Sequence, residues 1–250
     1  MNFDKEKILS DLECSGYSIQ KVENASDRVN ANLYNLGNLL GDPLANKHSK
    51  SEYVADITAN PTFYTDGIMR PVSDTGTQSP HCDGGYKEYQ PDFVILHSHQ
   101  KAEIGGRTTT INGRKMYDFI RKEHSQLLNQ LLTEDFYLVA RGSDRVIRPV
   151  FDKINDTQIE LCWADHEYMT SQNMEINPNC LESFAILQKY VRDTRNQLLL
   201  DIQEGESVIF DNRQALHGRE SFSDIDDYRW YKRLWIKSNL TDYKTGFTVV

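Results

Sequence analysis

Three residues in two distant stretches of the chain have the types and the spacing of a metal site. His81 and Asp83 are separated by one residue, and His217 lies far along the chain, after the polar turn at 211–213 that follows an apolar segment. Because side chains two positions apart share one face of an extended backbone, His81 and Asp83 can chelate one ion. Two imidazoles and one carboxylate can cap one face of an octahedral metal such as non-haem Fe(II) and leave the opposite face open.

The His-x-Asp tripeptide taken alone is weak evidence for a metal. The chain contains 7 His and 37 Asp plus Glu among its 250 residues, so about one such pairing is expected by chance. The residue between the two ligands, Cys82, points to the opposite face, and a buried thiol is its simplest interpretation. The metal hypothesis therefore depends on His217 and on the residues around it.

Arginines follow His217 at positions that suit an anion-binding cavity. Arg219 lies two residues beyond His217, and Arg229 and Arg233 share one face of a predicted strand with two aromatic side chains. Arginine forms bidentate hydrogen bonds with carboxylates, so this face predicts a partly apolar cavity that binds anions. Surface ion pairs with nearby aspartates are the alternative interpretation.

The composition argues against several kinds of partner. The formal net charge of -9 and a pI near 5.3 argue against nucleic acid or an anionic membrane surface, since both attract clustered Lys and Arg. No apolar run approaches the roughly 20 residues of a membrane span, and the charged N-terminus lacks the apolar stretch of a secretory signal. Four widely spaced cysteines indicate neither a zinc knuckle nor a disulfide framework. We therefore expect a soluble, reduced, cytoplasmic globular protein.

Short strands make up most of the elements that would position these residues. Helices are predicted over 4–13, from Ser26 or Asp27 to about 40, over 113–132 and from Pro178 to about 196. Predicted strands include 16–19, 68–72, 93–99, 105–111 and 207–210. Since no repeat, low-complexity tract or linker interrupts the chain, we expect a single domain over 1–250. Many short strands without β-α-β alternation predict a β-barrel or jelly roll with helices outside.

Five short segments together resemble a known enzyme family. They are His81-Cys82-Asp83-Gly84-Gly85, Gly105-Gly106-Arg107-Thr108, Phe210-Asp211-Asn212-Arg213, His217-Gly218-Arg219 and Arg229-x-x-x-Arg233. In this order they resemble the taurine dioxygenase/clavaminate synthase-like superfamily of Fe(II)/2-oxoglutarate-dependent oxygenases. The arginines two, twelve and sixteen residues after the second His are similar in spacing to those of carbapenem synthase. The resemblance covers about 66–237 and implies a mainly β fold with flanking helices around a double-stranded β-helix (jelly roll) core.

The resemblance implies a role for each matching residue. The implied iron ligands and catalytic centre are His81, Asp83 and His217. Thr108 and Arg229 would hold the distal carboxylate of the cosubstrate 2-oxoglutarate, with Arg219 close to the iron and the cosubstrate. Arg233 would bind an anionic group of the substrate, or else be a second structural arginine of the barrel wall. The implied cofactor and cosubstrates are Fe(II), 2-oxoglutarate and O2.

Other histidines are candidates for contacts outside this ligand set. His97 and His99 share one strand face with Phe93 and Ile95. His97 can therefore be a hydrogen-bonding residue for the substrate, or an ordinary wall residue. His166 has no partner at ligand spacing, and we interpret it as a loop residue.

The expected activity is C–H oxidation of a small, carboxylate-bearing substrate, either amino-acid-like or a natural-product intermediate. Hydroxylation, desaturation, epimerisation and cyclisation all follow from the same hydrogen abstraction. Because Asp83 is present, the family's halogenase variant, which has Gly or Ala there, is disfavoured. A non-catalytic jelly roll that binds a metal or small ligand and a zinc-dependent hydrolase with the same three ligands are the alternatives. The sequence identifies neither the substrate nor the oligomeric state.

Overall fold

The structure, a computed structural model, describes residues 2–45, 53–58, 75–141, 143–164, 174–223 and 229–249. Its helices are α1 (Lys5–Ser15), α2 (Val29–Gly37), α3 (Gly113–Glu123), α4 (Leu128–Leu131) and α5 (Leu181–Arg192). Its first nine strands are β1 (Tyr17–Lys21), β2 (Gly41–Leu44), β3 (Ala55–Thr58), β4 (Gln78–His81), β5 (Phe93–Gln100), β6 (Ile104–Gly105), β7 (Thr108–Asn112), β8 (Tyr137–Arg141) and β9 (Asp144–Arg148). The remaining strands are β10 (Phe151–Lys153), β11 (Gln158–Leu161), β12 (Met174–Ile176), β13 (Leu198–Leu200), β14 (Glu206–Asp211), β15 (Ala215–Arg219), β16 (Phe222–Ser223), β17 (Trp230–Ser238) and β18 (Phe247–Thr248).

The largest sheet is antiparallel and is built around β17. Its order is β1, β14, β5, β17 and β2, and β3 also pairs with β17. Along one edge β17 pairs with β5, and along the other it pairs with β3 and then β2. Neighbours on both edges hold the backbone of β17 in place, so side chains on this strand have well-defined positions.

A second sheet faces the first and brings distant residues into register. Its order is β13, β7, β15 and β4. His217 on β15 lies directly opposite His81 on β4, and Arg219 lies opposite Thr108 on β7. Side chains of both sheets share one apolar core, which includes Val94, Leu96, Val208, Phe210, Ile111, Ala215 and Leu216. The fold is therefore mainly β with flanking helices, a double-stranded β-helix as predicted.

Helices cover the outer face of the large sheet, and this explains why its strands are apolar on both faces. The outer cluster combines Ile8, Leu12, Leu33 and Leu36 of α1 and α2 with Phe93, Ile95, Ile209, Leu234 and Ile236 of the sheet. The Asp4 side chain accepts a hydrogen bond from the Lys7 N–H at the start of α1, and Gly16, with φ of 83°, ends the helix. Among the described residues, no helix combines the length and apolar character needed to cross a bilayer.

The structure corrects two of the predicted helix boundaries. The helix predicted over 113–132 is interrupted at His124, whose φ and ψ of -141° and 43° are not helical. A 3-10 turn and α4 follow, and Leu127 and Leu131 still reach the core. The helix predicted to continue to about residue 40 ends at Gly37, and the stop signal at 41–43 lies in strand β2, where a Cβ on Gly41 would collide with the Lys237 carbonyl oxygen. The strand predicted at 68–72 lies outside the described residues.

Candidate active site

His81, Asp83 and His217 form one cluster in the barrel interior. His81 ends β4, Asp83 lies in the turn that follows, and His217 is in β15. One ligand atom from each residue can be chosen so that all three lie within 4.8 Å of one another. The His81 Nε2 is 3.5 Å from Asp83 Oδ1, and the His217 Nε2 is 3.8 Å from Asp83 Oδ2. The donor set, two imidazole nitrogens and a carboxylate, suits a divalent transition metal such as iron.

The two imidazoles are held in orientations that suit metal binding. His81 Nδ1 is 3.0 Å from the Ser79 carbonyl oxygen, which can only accept, so Nδ1 donates and Nε2 is directed towards Asp83. The ring of His217 stacks on Phe210 at a centroid distance of 5.1 Å. Burial lowers the pKa of His217 to about 3, so its imidazole is neutral at physiological pH, the form that binds metals.

Asp83 is held by side chains from the central strand of the large sheet. Trp235 Nε1 donates to Asp83 Oδ2 at 2.7 Å, and Arg233 Nη1 is 3.1 Å from Oδ2 and 3.3 Å from Oδ1. Burial alone would raise the pKa of Asp83, but the Arg233 guanidinium and the two imidazoles hold it well below its usual range. The carboxylate is therefore ionised.

Asn212 fixes the backbone of Asp83, a role that the sequence analysis did not predict. Its Oδ1 accepts from the Asp83 N–H at 2.8 Å, while its Nδ2 donates to the carbonyl oxygens of Asp83 at 3.0 Å and Pro91 at 2.8 Å. Gln90 Nε2 donates to the same Asp83 carbonyl at 3.0 Å. The only signal in the sequence is the polar turn after the apolar strand, which contains Asn212.

A buried cationic cavity adjoins the two histidines. Its lining residues are Ile57, Gln78, His81, Leu96, Thr108, His217, Gly218, Arg219, Arg229, Tyr231 and Arg233. Arg229 lies over the Tyr231 ring at 3.9 Å and the Phe222 ring at 5.2 Å, and Arg219 donates to the Gly76 carbonyl at 2.8 Å. Thr108, Arg219 and Arg229 are each no more than 5% exposed. Buried guanidinium groups beside a hydroxyl are well suited to a carboxylate.

The structure brings Arg233 to the same cavity. A substrate anion, or a structural role in the barrel wall, was expected for Arg233. Its guanidinium instead forms an ion pair with Asp83, with both side chains almost fully buried. Arg233 also lies over the Trp235 ring at 5.2 Å. In this arrangement Arg233 neutralises the buried Asp83 carboxylate.

His97 lies on the opposite face of the sheet from the cavity, so the expectation that it contacts the substrate is wrong. It shares the outer face with Phe93 and Ile95, and its ring nitrogens are 3.0 Å from Ser207 Oγ and 2.9 Å from Asn24 Oδ1. Burial lowers the pKa of His97 to about 4. His97 is a hydrogen-bonded wall residue, the alternative that its sequence position left open. His166 lies outside the described residues.

A second, more open cavity lies beside Trp235. Its volume is about 370 Å³. Its lining residues are Leu44, Ala45, Tyr86, Lys87, Glu88, Tyr89, Asp144, Arg145, Val146 and Trp235. The Arg141 guanidinium lies 5.2 Å from the Tyr86 ring centroid. Since Trp235 contacts Asp83 and also lines this cavity, the cavity is separated from the histidine cluster by one side chain.

Comparisons with known proteins agree with this geometry. The family model described as "Taurine catabolism dioxygenase TauD, TfdA family" matches residues 18–235. A trimethyllysine dioxygenase from Meyerozyma guilliermondii is 25% identical over 183 residues, which are 69% of this chain and 43% of that protein. The chain therefore spans less than half the length of this curated relative.

Solved structures share the fold. An asparagine oxygenase in complex with Fe(II), hydroxyasparagine and succinate superposes with a TM-score of 0.72 at 20% identity, covering 93% of this chain and 77% of that one. The non-haem iron oxygenase OrfP in complex with Fe and alpha-ketoglutaric acid gives a TM-score of 0.70 at 16% identity, covering 94% and 80%.

Proposed function

We propose that this chain, which belongs to the taurine catabolism dioxygenase TauD, TfdA family, is an Fe(II)- and 2-oxoglutarate-dependent oxygenase. Its reaction would couple oxidative decarboxylation of 2-oxoglutarate to oxidation of a C–H bond in a small, carboxylate-bearing substrate. The observation that carries the proposal is the cluster of His81, Asp83 and His217 beside a cavity lined by buried arginines. We assign the whole reaction to a single domain over 1–250.

His81, Asp83 and His217 would hold the iron. The cluster offers two imidazole nitrogens and one ionised carboxylate oxygen, which is the ligand set for an open iron site. Iron and 2-oxoglutarate supply, when bound, the oxygen activation and decarboxylation chemistry that side chains cannot provide. The protein keeps the ligands in place through Asn212 and Ser79, which hold the backbone of Asp83 and the ring of His81.

Thr108 and Arg229 would bind the distal carboxylate of 2-oxoglutarate, with Arg219 nearby. Arg219 and Thr108 face each other across paired strands, and Arg229 lines the same cavity. A carboxylate that enters this site replaces its hydration by charge-assisted hydrogen bonds from groups already in position, which costs little reorganisation. O2 would be the other cosubstrate.

An amino-acid-like molecule is the substrate class that we favour. The trimethyllysine dioxygenase, asparagine oxygenase and OrfP comparisons name trimethyllysine, hydroxyasparagine and dihydroxyarginine, all of them amino acids or their products. A small natural-product intermediate with a carboxylate fits the same cavity chemistry. The product would be that of hydroxylation, desaturation, epimerisation or cyclisation. We keep the sequence-based prediction of a cytoplasmic protein whose ligands are small molecules.

Neither alternative function explains the cationic cavity. A zinc-dependent hydrolase with the same three ligands has no use for Thr108 and Arg229 beside the metal. A non-catalytic binder of a metal or of a small ligand has no need for both a metal cluster and buried arginines at one cavity.

Release of succinate tests the proposed function. The purified chain is incubated with Fe(II), 2-oxoglutarate, O2 and a panel of L-amino acids and their derivatives, and succinate and oxidised products are measured by mass spectrometry. We expect substrate-dependent succinate that Asp83→Ala abolishes. Glu220→Ala, which removes a carboxylate paired with Arg107 at the surface, should retain turnover. Turnover with Zn(II) in the absence of 2-oxoglutarate would instead favour the hydrolase, and no succinate with any panel member would contradict the oxygenase.

A further inference from the structure

The carboxylate of Asp83 receives an unequal set of contacts. Arg233 Nη1 lies at similar distances from both oxygens, 3.1 and 3.3 Å, and therefore does not distinguish them. Trp235 Nε1 donates to Oδ2 alone, at 2.7 Å. Oδ1, which is 3.5 Å from His81 Nε2, receives no contact from the indole. Of the two carboxylate oxygens, only Oδ2 therefore accepts a hydrogen bond from the indole of Trp235.

The indole of Trp235 is well suited to hold this orientation. An indole N–H donates and cannot accept, and most buried tryptophans have an acceptor within reach. Trp235 is 2% exposed and lies on β17, where it pairs with Val94 of β5 and Leu44 of β2. Neighbours on both sides of the strand hold the backbone of Trp235, and its buried indole donates to Asp83 Oδ2.

We propose that Trp235 is a positioning residue that determines which oxygen of Asp83 is given to the metal. Its N–H engages Oδ2, which would leave Oδ1 as the oxygen that Asp83 offers to the ion. Arg233 neutralises the carboxylate without choosing between its oxygens. The inference rests on the proposed function only in taking His81, Asp83 and His217 as metal ligands.

A Trp→Phe exchange tests this role, and the chain offers a matched control. Trp235→Phe removes the N–H but keeps an aromatic ring. Trp163 is equally buried, stacks on Phe184, and has an Nε1 that lacks an acceptor in the described part of the chain. Trp163→Phe therefore removes similar volume from the core without removing a hydrogen bond. Both variants are made in the full chain and compared by thermal unfolding in the absence of metal.

Metal affinity and the absorption spectrum of bound Co(II) are the measurements. Removal of a side chain that orients a metal ligand typically weakens metal binding 10- to 100-fold. We expect Trp235→Phe to weaken Co(II) binding by about 10-fold or more and to change the ligand-field absorption bands. Trp163→Phe should match the wild type in both. Equal affinity and equal spectra for all three proteins would overturn the proposal, and failure of the wild type to bind Co(II) would contradict the metal site itself.

A measurement on the wild type applies even if Trp235→Phe fails to fold. The chain contains three tryptophans, so its nitrogen-15 NMR spectrum has three indole N–H signals. Trp230 donates from its indole to Asp56 on the outer face and serves as the reference. Addition of Zn(II) should shift the Trp235 signal and leave that of Trp230 in place. A Trp235 signal that does not respond while Zn(II) binds would overturn the role of its N–H.

Discussion

Replacement of Asn212 by alanine should destabilise the fold as well as the metal site. Asn212 is fully buried, and its amide makes three hydrogen bonds, two with the Asp83 backbone and one with the Pro91 carbonyl. A buried hydrogen bond contributes roughly 1 kcal/mol net, so the loss of three lowers the free energy of unfolding by about 3 kcal/mol. For a protein of this size, that corresponds to a fall in Tm of about 6–12 °C.

Thermal and urea unfolding of the metal-free protein measure this change. A chelator is present so that metal binding does not contribute to the free energy of unfolding. Asn155→Ala is the matched control, because Asn155 Oδ1 also accepts three hydrogen bonds, from Thr157 N, Thr157 Oγ1 and Gln158 N, but in an exposed turn. Asn155→Ala should lower the free energy of unfolding by less than about 1 kcal/mol, since water replaces the lost hydrogen-bond partners.

The two asparagine variants together decide whether the loss of buried hydrogen bonds around Asp83 causes the destabilisation. If Asn212→Ala lowers the free energy of unfolding no more than Asn155→Ala, the Asp83 backbone does not depend on this amide. The reasoning that places Asn212 behind the metal ligand would then be refuted. If Asn212→Ala destabilises as expected, its Co(II) affinity should fall as well, because the turn that presents Asp83 is no longer fixed.

Three further predictions concern the cavity arginines, the buried carboxyl group of Asp211 and Gly41 on β2. Arg229→Ala should raise the KM for 2-oxoglutarate far more than Arg233→Ala does. Arg233→Ala should weaken metal binding more, because Arg233 pairs with Asp83. Steady-state kinetics and Co(II) titration measure the two effects, and reversed effects would mean that the two roles are exchanged. Burial raises the folded-state pKa of Asp211 from 3.8 to about 7, so the folded protein binds the extra proton between these values and stability falls as pH rises from about 4 to above 7. This raised pKa changes the free energy of unfolding by at most about 4 kcal/mol across the range. In urea unfolding, the free energy of unfolding of Asp211→Asn should depend less on pH than that of the wild type. An identical pH dependence would contradict the raised pKa. Gly41→Ala should lower the Tm measurably, since its Cβ would meet the Lys237 carbonyl, and an unchanged Tm would show that β2 can move away from β17.

The metal cluster was predictable because it depends on local spacing and one strand pairing. The spacing of two placed Asp83 beside His81, although β4 ends at His81 and Asp83 lies in the turn that follows rather than on an extended strand. His217 could be added because it follows a strand and a turn at the position that the family pattern requires. The structure shows how His217 reaches the other two residues, because β15 pairs with β4 and places His217 opposite His81.

The side of the sheet on which His97 lies could not be predicted in the same way. Alternation correctly grouped His97 with Phe93 and Ile95, but β5 is apolar on both faces because α1 and α2 cover the outer one. A strand of this kind carries no signal for which face is the barrel interior. The same limit applies to Trp235 and Asn212, whose partner Asp83 lies more than 120 residues away in the chain.

The charge of the barrel interior explains why the metal and an anionic cosubstrate belong to one site. The cavity beside the histidines is lined by Arg219, Arg229 and Arg233, and no acidic residue is among its described lining side chains. Asp83 offsets one of these charges through Arg233. A divalent metal on the cluster would add further positive charge in a region of low dielectric constant, where uncompensated charge is costly. A dianionic cosubstrate held by Arg229 in this cavity would offset that positive charge. The charges of the histidine cluster and the arginine cavity would therefore be balanced only when the metal and the dianion are both bound.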